Sequence, residues 1–305
     1  MKQTIGIIGT GWVGSSVAIS TLHAGIAQEV LLHDRREEAA EGDAMDLAHG
    51  APFYPAASVR TATIDAMRDS AAIVVSAGRG GRPGETRLDL LKDNAAAIRD
   101  IGERLRGYSG IIVMVTNPVD VLTYVMTEAS GLPPSRVLGT GTMLDTARLR
   151  QILGHELRID PRSVHAQVVG EHGYSEVVLW SGARAGGMNL RAWPGWSDAL
   201  EARIAGEVRT AAYEIIRRKG ATNHAIGLVT AALLKWMLRG ERRVLTVSRV
   251  QEGACGLQDV ALSLPAIVDT DGATQIIEPE MTAEEQARLH ASAEVLRKAL
   301  ASLKE

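Results

Sequence analysis

The sequence predicts an α/β protein: a parallel sheet covered by helices on both faces, followed by a second unit of mixed helices and strands. Three observations predict it. Short, continuously apolar runs alternate with helical stretches through the first half, and a glycine-rich turn, Gly9-Thr10-Gly11-Trp12-Val13-Gly14, closes the first of them. After about Thr142 the rhythm changes to longer helices and antiparallel-looking runs. Apolar strands without polar alternation are buried on both faces, which indicates a parallel sheet between helical layers. A chain of 305 residues is long enough for two cores. We divide it into residues 1–142 and 143–305.

In order along the chain, Thr4–Ile8 reads as a strand and Val13–Ala24 as a helix with Val17, Ala18 and Thr21 on one side. Val30–His33 is a second strand and Glu37–Ala48 a helix. Ala71–Ala77 and Ile111–Thr116 are β-branched runs, separated or followed by the helical stretches Asn94–Leu105 and Val119–Ala129. Val137-Leu138-Gly139 ends the alternation. Beyond it, Leu144–Leu153 is a helix, and Ser163–Val169 and Val177–Leu179 are strand-like. Asp198–Arg218 and Asn223–Arg239 are long helices parted at Lys219-Gly220. Val244–Val250, Gly256–Ser263 and Thr274–Ile277 look antiparallel. The tail Thr282–Leu303 is amphipathic, with Thr282 as its cap ahead of Glu284 and Glu285.

Composition excludes several classes of function. Thirty-three basic against 36 acidic side chains give a formal net charge of -3, so no basic surface invites a nucleic acid or an anionic membrane. No run approaches the length of apolar sequence a membrane span needs. The apolar start is required as a strand and lacks a small-residue cleavage site, so no signal peptide is expected. The one cysteine, Cys255, has no partner for a disulfide, suits a reducing cytoplasm, and reads as a packing residue.

The glycine turn sits between a strand and a helix. There Gly9, Gly11 and Gly14 allow a tight turn and let backbone amides, with Trp12 and Val13 opening the helix, approach a pyrophosphate. The motif alone is weak. Asp34, twenty residues beyond Gly14 at the end of the second strand, strengthens it, because a carboxylate there accepts from a ribose diol. Asp34 also repels a 2′-phosphate and so favours NAD over NADP, although Arg35 and Arg36 offer partners for such a phosphate.

Further segments carry a family signal: Ser76-Ala77-Gly78, Arg82-Pro83-Gly84-Glu85-Thr86-Arg87-Leu88, Thr116-Asn117-Pro118-Val119-Asp120, Leu144-Asp145-Thr146-Ala147-Arg148, Gly170-Glu171-His172-Gly173 and Lys219-Gly220-Ala221-Thr222. With the glycine turn, in order over nearly the whole chain, they resemble the L-lactate and malate dehydrogenase family, its lactate dehydrogenase branch most closely. The resemblance implies a Rossmann-type sheet domain, an α+β catalytic domain, NAD as cofactor, and a small 2-keto or 2-hydroxy acid as substrate.

It implies roles residue by residue. His172 is the acid/base, and imidazole is the side chain whose ordinary pKa suits proton exchange near neutrality; read alone, it is as good a loop residue. Asp145 orients it, and Arg148, three residues on and on the same helical side, grips the substrate carboxylate through two parallel bonds. Arg87 polarises the carbonyl from a closing loop, for which Gly78–Gly84, with four glycines, a proline and two arginines, is suitably polar. Ala77 and Gly78 border the cofactor. Asn117 bonds near the nicotinamide or the substrate oxygen, or merely forms an Asx-turn before Pro118. Thr222 and Ile226 line the substrate and nicotinamide faces, although a core position explains Ile226 equally well.

The lid carries a departure. Malate dehydrogenases place an arginine just before the basic residue matched by Arg82, and lactate dehydrogenases a glutamine; this chain has Gly81. Lost pairing argues against a dicarboxylate, and the freed volume admits pyruvate and bulkier 2-keto acids. Oxaloacetate stays open if Arg79 or Arg82 swings in, and a non-catalytic nucleotide binder would not need the four-residue polar set. Tyr174 stands where lactate dehydrogenases usually have aspartate. Arg150 and His165 match the basic pair with which bacterial lactate dehydrogenases bind fructose 1,6-bisphosphate between subunits, and family precedent favours a homotetramer, with a dimer as runner-up.

Overall fold

The computed structural model describes residues 3–80 and 86–303. The first half runs β1 (Thr4–Ile8), α1 (Trp12–His23), β2 (Glu29–His33), α2 (Glu37–His49), β3 (Ser58–Thr61), β4 (Ala72–Val75), α3 (Arg87–Arg104), β5 (Ile111–Met114), α4 (Val119–Ser130) and β6 (Val137–Gly139). The second runs α5 (Met143–Leu157), β7 (Val164–His165), β8 (Val168–Val169), β9 (Val177–Val178), β10 (Arg184–Ala185), β11 (Met188–Asn189), α6 (Asp198–Lys219), α7 (His224–Leu238), β12 (Arg243–Glu252), β13 (Gln258–Asp269), β14 (Gly272–Ile276) and α8 (Ala283–Ala301).

β1 to β6 form a parallel sheet in the order β3-β2-β1-β4-β5-β6. Successive side chains of a strand point to opposite faces, and β4 shows the consequence. Ile73 and Val75 pack with Ile98 of α3 and Leu122 of α4, whereas Ala72 and Val74 pack with Val17 of α1 and Leu233 of α7. A third cluster, with Leu149, Val164, Trp180 and Ile204, holds α5, the short strands and α6 together. Among the described residues no helix is long and apolar enough to cross a membrane.

Several expectations are refined. β12, β13 and β14 do not form a sheet of their own; they extend the parallel sheet antiparallel at its β6 edge, through the single pair Ser248–Gly139. Gly141 makes that approach possible: at φ +47 a Cβ there would lie 2.1 Å from Ser263 Oγ and 2.7 Å from Ser248 N. The run Ser163–Val169 is broken into β7 and β8, which join different small sheets. β3 was not foreseen, because SVRT alternates exposed and half-buried positions at the sheet edge. α3 begins at Arg87, seven residues before the predicted Asn94, because Thr86 and Asp89 cap each other's backbone amides in a capping box. Thr282 caps α8 in the same way, through Glu285.

Candidate active site

At the C-terminal end of β1, Gly9 adopts φ +96, and the backbone then enters α1 with Gly11 as its N-cap. A Cβ on Gly14 would lie 1.9 Å from Gly9 O, so only glycine permits the turn to close on its helix. A Cβ on Gly11, by contrast, would meet nothing within 4 Å, which leaves the helix N-terminus open to an anion. Trp12 is exposed and Val13 packs inward. Asp34 accepts from Thr10 N and Arg36 N, both at 2.9 Å, so its carboxylate is fixed at the mouth of a cleft of about 710 Å³. Gly9, Gly11, Asp34, Ala77 and Gly78 line that cleft, with Arg35 and Arg36 at its edge. These features fit a dinucleotide: an open helix N-terminus for the pyrophosphate and a positioned acid for the ribose. Asp34→Ala is expected to weaken NADH binding about tenfold, the worth of one charge-assisted bond, and to narrow the preference over NADPH. Titration of both cofactors against the variant checks this.

The turn after β8 carries His172 and is tethered from three sides. Gly170 pairs with Ser263 of β13, Glu171 N donates to Ser292 Oγ of α8 at 2.8 Å, and His172 N donates to Asp120 Oδ2 of α4 at 2.7 Å. The backbone of His172 is thereby fixed to the first turn of α4. His172 Nδ1 lies 2.5 Å from Asp145 Oδ2, and Arg148 Nη1 donates to Asp145 Oδ1 at 2.7 Å. One buried carboxylate thus holds both candidate cations, and the side chains of His172 and Arg148 remain 23% and 13% exposed.

The electrostatics follow from that geometry. Burial by itself lowers the imidazole, but the charge of Asp145, its hydrogen bond and the charge of Asp120 prevail, and His172 is raised to about 9. Burial likewise pushes Asp145 up, yet His172 and then Arg148 hold it below the ordinary carboxylate range. The group is an imidazolium ready to give a proton, beside a guanidinium whose remaining donors can take an anion.

Asn117 accepts from Val119 N at 3.3 Å in an Asx-turn, while its amide nitrogen has no partner among the described residues. The corner between α6 and α7, with Thr222, is tied to α1 by Asn223 Nδ2 donating to Ser16 Oγ at 2.9 Å; Ile226 is half-buried where α7 packs on α1. Arg87 is the first residue of α3. Gly81 and Arg82 lie outside the described residues. Arg79 pairs with Asp93 at 2.6 Å. Tyr174 is exposed and leans on Tyr213 of α6, ring centroids 5.5 Å apart. Arg150 Nε donates to Ala166 O at 3.0 Å, which sets it beside exposed His165 of β7.

Two acids escaped the sequence reading. Asp120 stood in the quoted Asn117–Asp120 string, but an acid in a helix's first turn is ordinary, and only the tertiary fold aims it at His172 N. Burial raises it to about 6. Glu176 carried no signal at all, because its importance lies in its burial.

Comparison with known proteins bears on the chain as a whole. Residues 3–139 match the model of the lactate/malate dehydrogenase NAD binding domain, and residues 142–305 that of the lactate/malate dehydrogenase alpha/beta C-terminal domain. The chain is 43% identical to an L-lactate dehydrogenase of Salinibacter ruber, with 99% of this chain and 98% of the relative covered. It is 42% identical to one of Synechococcus sp., over 98% of each. Its fold is similar to that of the minor L-lactate dehydrogenase of Enterococcus mundtii in its ligands-bound form, with TM-score 0.96, 40% identity, and 99% and 98% of the two chains covered.

Proposed function

The chain belongs to the lactate/malate dehydrogenase family and is an NAD-dependent oxidoreductase of pyruvate-like 2-keto acids, and from that premise we propose a lactate dehydrogenase in which His172, Asp145, Arg148 and Arg87 carry the reaction. The observation that supports these roles best is the shared carboxylate of Asp145, 2.5 Å from His172 Nδ1 and 2.7 Å from Arg148 Nη1.

NAD, when bound along the Gly9–Gly14 turn, supplies or takes the hydride. Asp145 occupies Nδ1, so the proton for the substrate oxygen travels on Nε2 of His172 and is returned there in the reverse direction. Arg148 keeps Asp145 with one nitrogen and offers its other donors to the substrate carboxylate, which fixes which face of the carbonyl meets the nicotinamide. Arg87, at the start of α3, polarises the carbonyl, and the amide nitrogen of Asn117 bonds close by. Thr222, Gly81 and Arg82 border the substrate, and Ile226 backs the nicotinamide. We place the division between the two units at Thr142 and Met143.

Pyruvate and bulkier 2-keto acids are preferred over oxaloacetate, because Gly81 supplies no cation for a distal carboxylate. The salt bridge of Arg79 to Asp93 supports the same reading. We also read the chain as a homotetramer, supported by exposed apolar side chains on neighbouring helices: Ile19 of α1, Met45 of α2 and Leu228 of α7. Arg150 and His165, on adjoining segments, form an activating site for fructose 1,6-bisphosphate. The unpaired, buried Cys255 supports a cytoplasmic setting. Initial rates of NADH oxidation with pyruvate, longer 2-keto acids and oxaloacetate, with and without the bisphosphate, test these assignments. Pyruvate or a longer homologue is expected to lead by about tenfold or more, the worth of one unpaired charge, and the bisphosphate to lower KM. A clear preference for oxaloacetate would reverse the choice of substrate.

A further inference from the structure

Near the His172–Asp145 couple lie a buried acid and a half-buried arginine that the proton transfer does not use. Glu176, immediately before β9, is 6% exposed, and its Oε1 takes part in no hydrogen bond among the described residues. Arg209 of α6 has a buried Nε that equally lacks an acceptor. Unpartnered polar atoms are costly in a protein interior and call for a physical reason. The charged groups within reach of Glu176 are Asp145 and Arg148 from α5, His172 from its turn, and Arg209 from α6. Its neighbour Glu171 is occupied, accepting from the backbone and hydroxyl of Ser175. Burial, then Asp145, raise Glu176 to about 8, against the pull of His172, Arg209 and Arg148. With His172 protonated and Glu176 neutral, the cations His172, Arg148 and Arg209 outnumber the carboxylates of Asp145 and Asp120; ionisation of Glu176 adds a further anion without adding a partner.

Resting on the function proposed above, we propose that Glu176 is a positioning residue that sets the charge the site presents to a carboxylate substrate. As a neutral acid it leaves Arg209 Nε without an acceptor and leaves to the substrate anion those donors of Arg148 that do not hold Asp145. Once ionised it competes with that anion for the two guanidiniums. Affinity for the substrate therefore falls through the titration of Glu176, before the imidazole itself loses its proton. The effect acts through Arg148, so it belongs to KM and leaves kcat at low pH nearly untouched.

The test is the pH dependence of KM and kcat for pyruvate in the wild type, in Glu176→Gln and in Arg209→Gln. In the wild type, KM is expected to rise severalfold between about pH 7 and pH 8.5, as the carboxyl ionises. Gln keeps the shape and cannot ionise, so its KM is expected to stay flat over that range and rise only with the imidazole. Arg209→Gln removes a cation that favours the carboxylate, so its rise is expected to begin at higher pH than in the wild type. A KM profile of Glu176→Gln that overlays the wild type, or a kcat lowered at every pH with an unmoved profile, overturns the proposal. Should Glu176→Gln fail to fold, an Arg209→Gln profile that does not move upward overturns it independently. A wild type that reduces no 2-keto acid at pH 6.5 removes the functional reading itself, and this proposal with it.

Discussion

Replacing His172 with alanine is expected to lower kcat for ketone reduction on the order of 10³–10⁴-fold, the scale of a positioned general acid. NADH binding, by fluorescence titration, is expected to stay within about twofold of the wild type, because the residue sits on its own turn and not on the Gly9–Gly14 loop. The pH profile of the intact protein carries the sign of the same assignment. An imidazole raised to about 9 stays charged through neutrality, so its proton supply for reduction holds up to that pH and fails above it. Oxidation of the hydroxy acid needs the neutral ring, so its rate rises through the same range. A His172→Ala protein that still turned over within tenfold of the wild type would leave the acid/base unassigned.

Substituting Arg148 with glutamine is the second large effect. Two charge-assisted bonds to the substrate carboxylate are worth about 3–5 kcal/mol together, so kcat/KM for pyruvate is expected to fall on the order of 10²–10⁴-fold. Arg148→Lys keeps the charge but not the planar fork, and is expected to recover only part of the loss. The diagnostic is a substrate without a carboxylate, such as a simple aldehyde, on which wild type and variant should differ little. Equal losses on both substrates would mean that Arg148 serves the fold through Asp145 and not the substrate. Asp145 adds a second signature: it loses one of the two cations that hold it down, and His172 loses a repelling neighbour, so the alkaline limb moves upward.

Much of this was legible in the chain because local chemistry decided it. Strands such as Ile111–Met114 are apolar without interruption, and a glycine turn before a helix has few other uses. The Asp145–Arg148 spacing put both groups on one helical side, although the sequence suggested a division of labour in which one holds the histidine and the other faces substrate. The structure has Asp145 hold both. What escaped depends on partners far away in the sequence. β3 is short and half polar because it lies at an edge. The antiparallel strands carry no mark of joining β6, since one residue pair makes the seam. Asp120 and Glu176 look like any two acids until burial and the approach of the His172 turn distinguish them.

The bond from His172 N to Asp120 Oδ2 has its donor and acceptor on opposite sides of that seam, 52 positions apart along the chain. A local fluctuation that breaks this bond therefore frees the turn that carries His172 while the shared core on which it rests stays folded. Loss of turnover on warming is then expected to precede loss of helical signal, because the turn comes free of α4 before the helices melt.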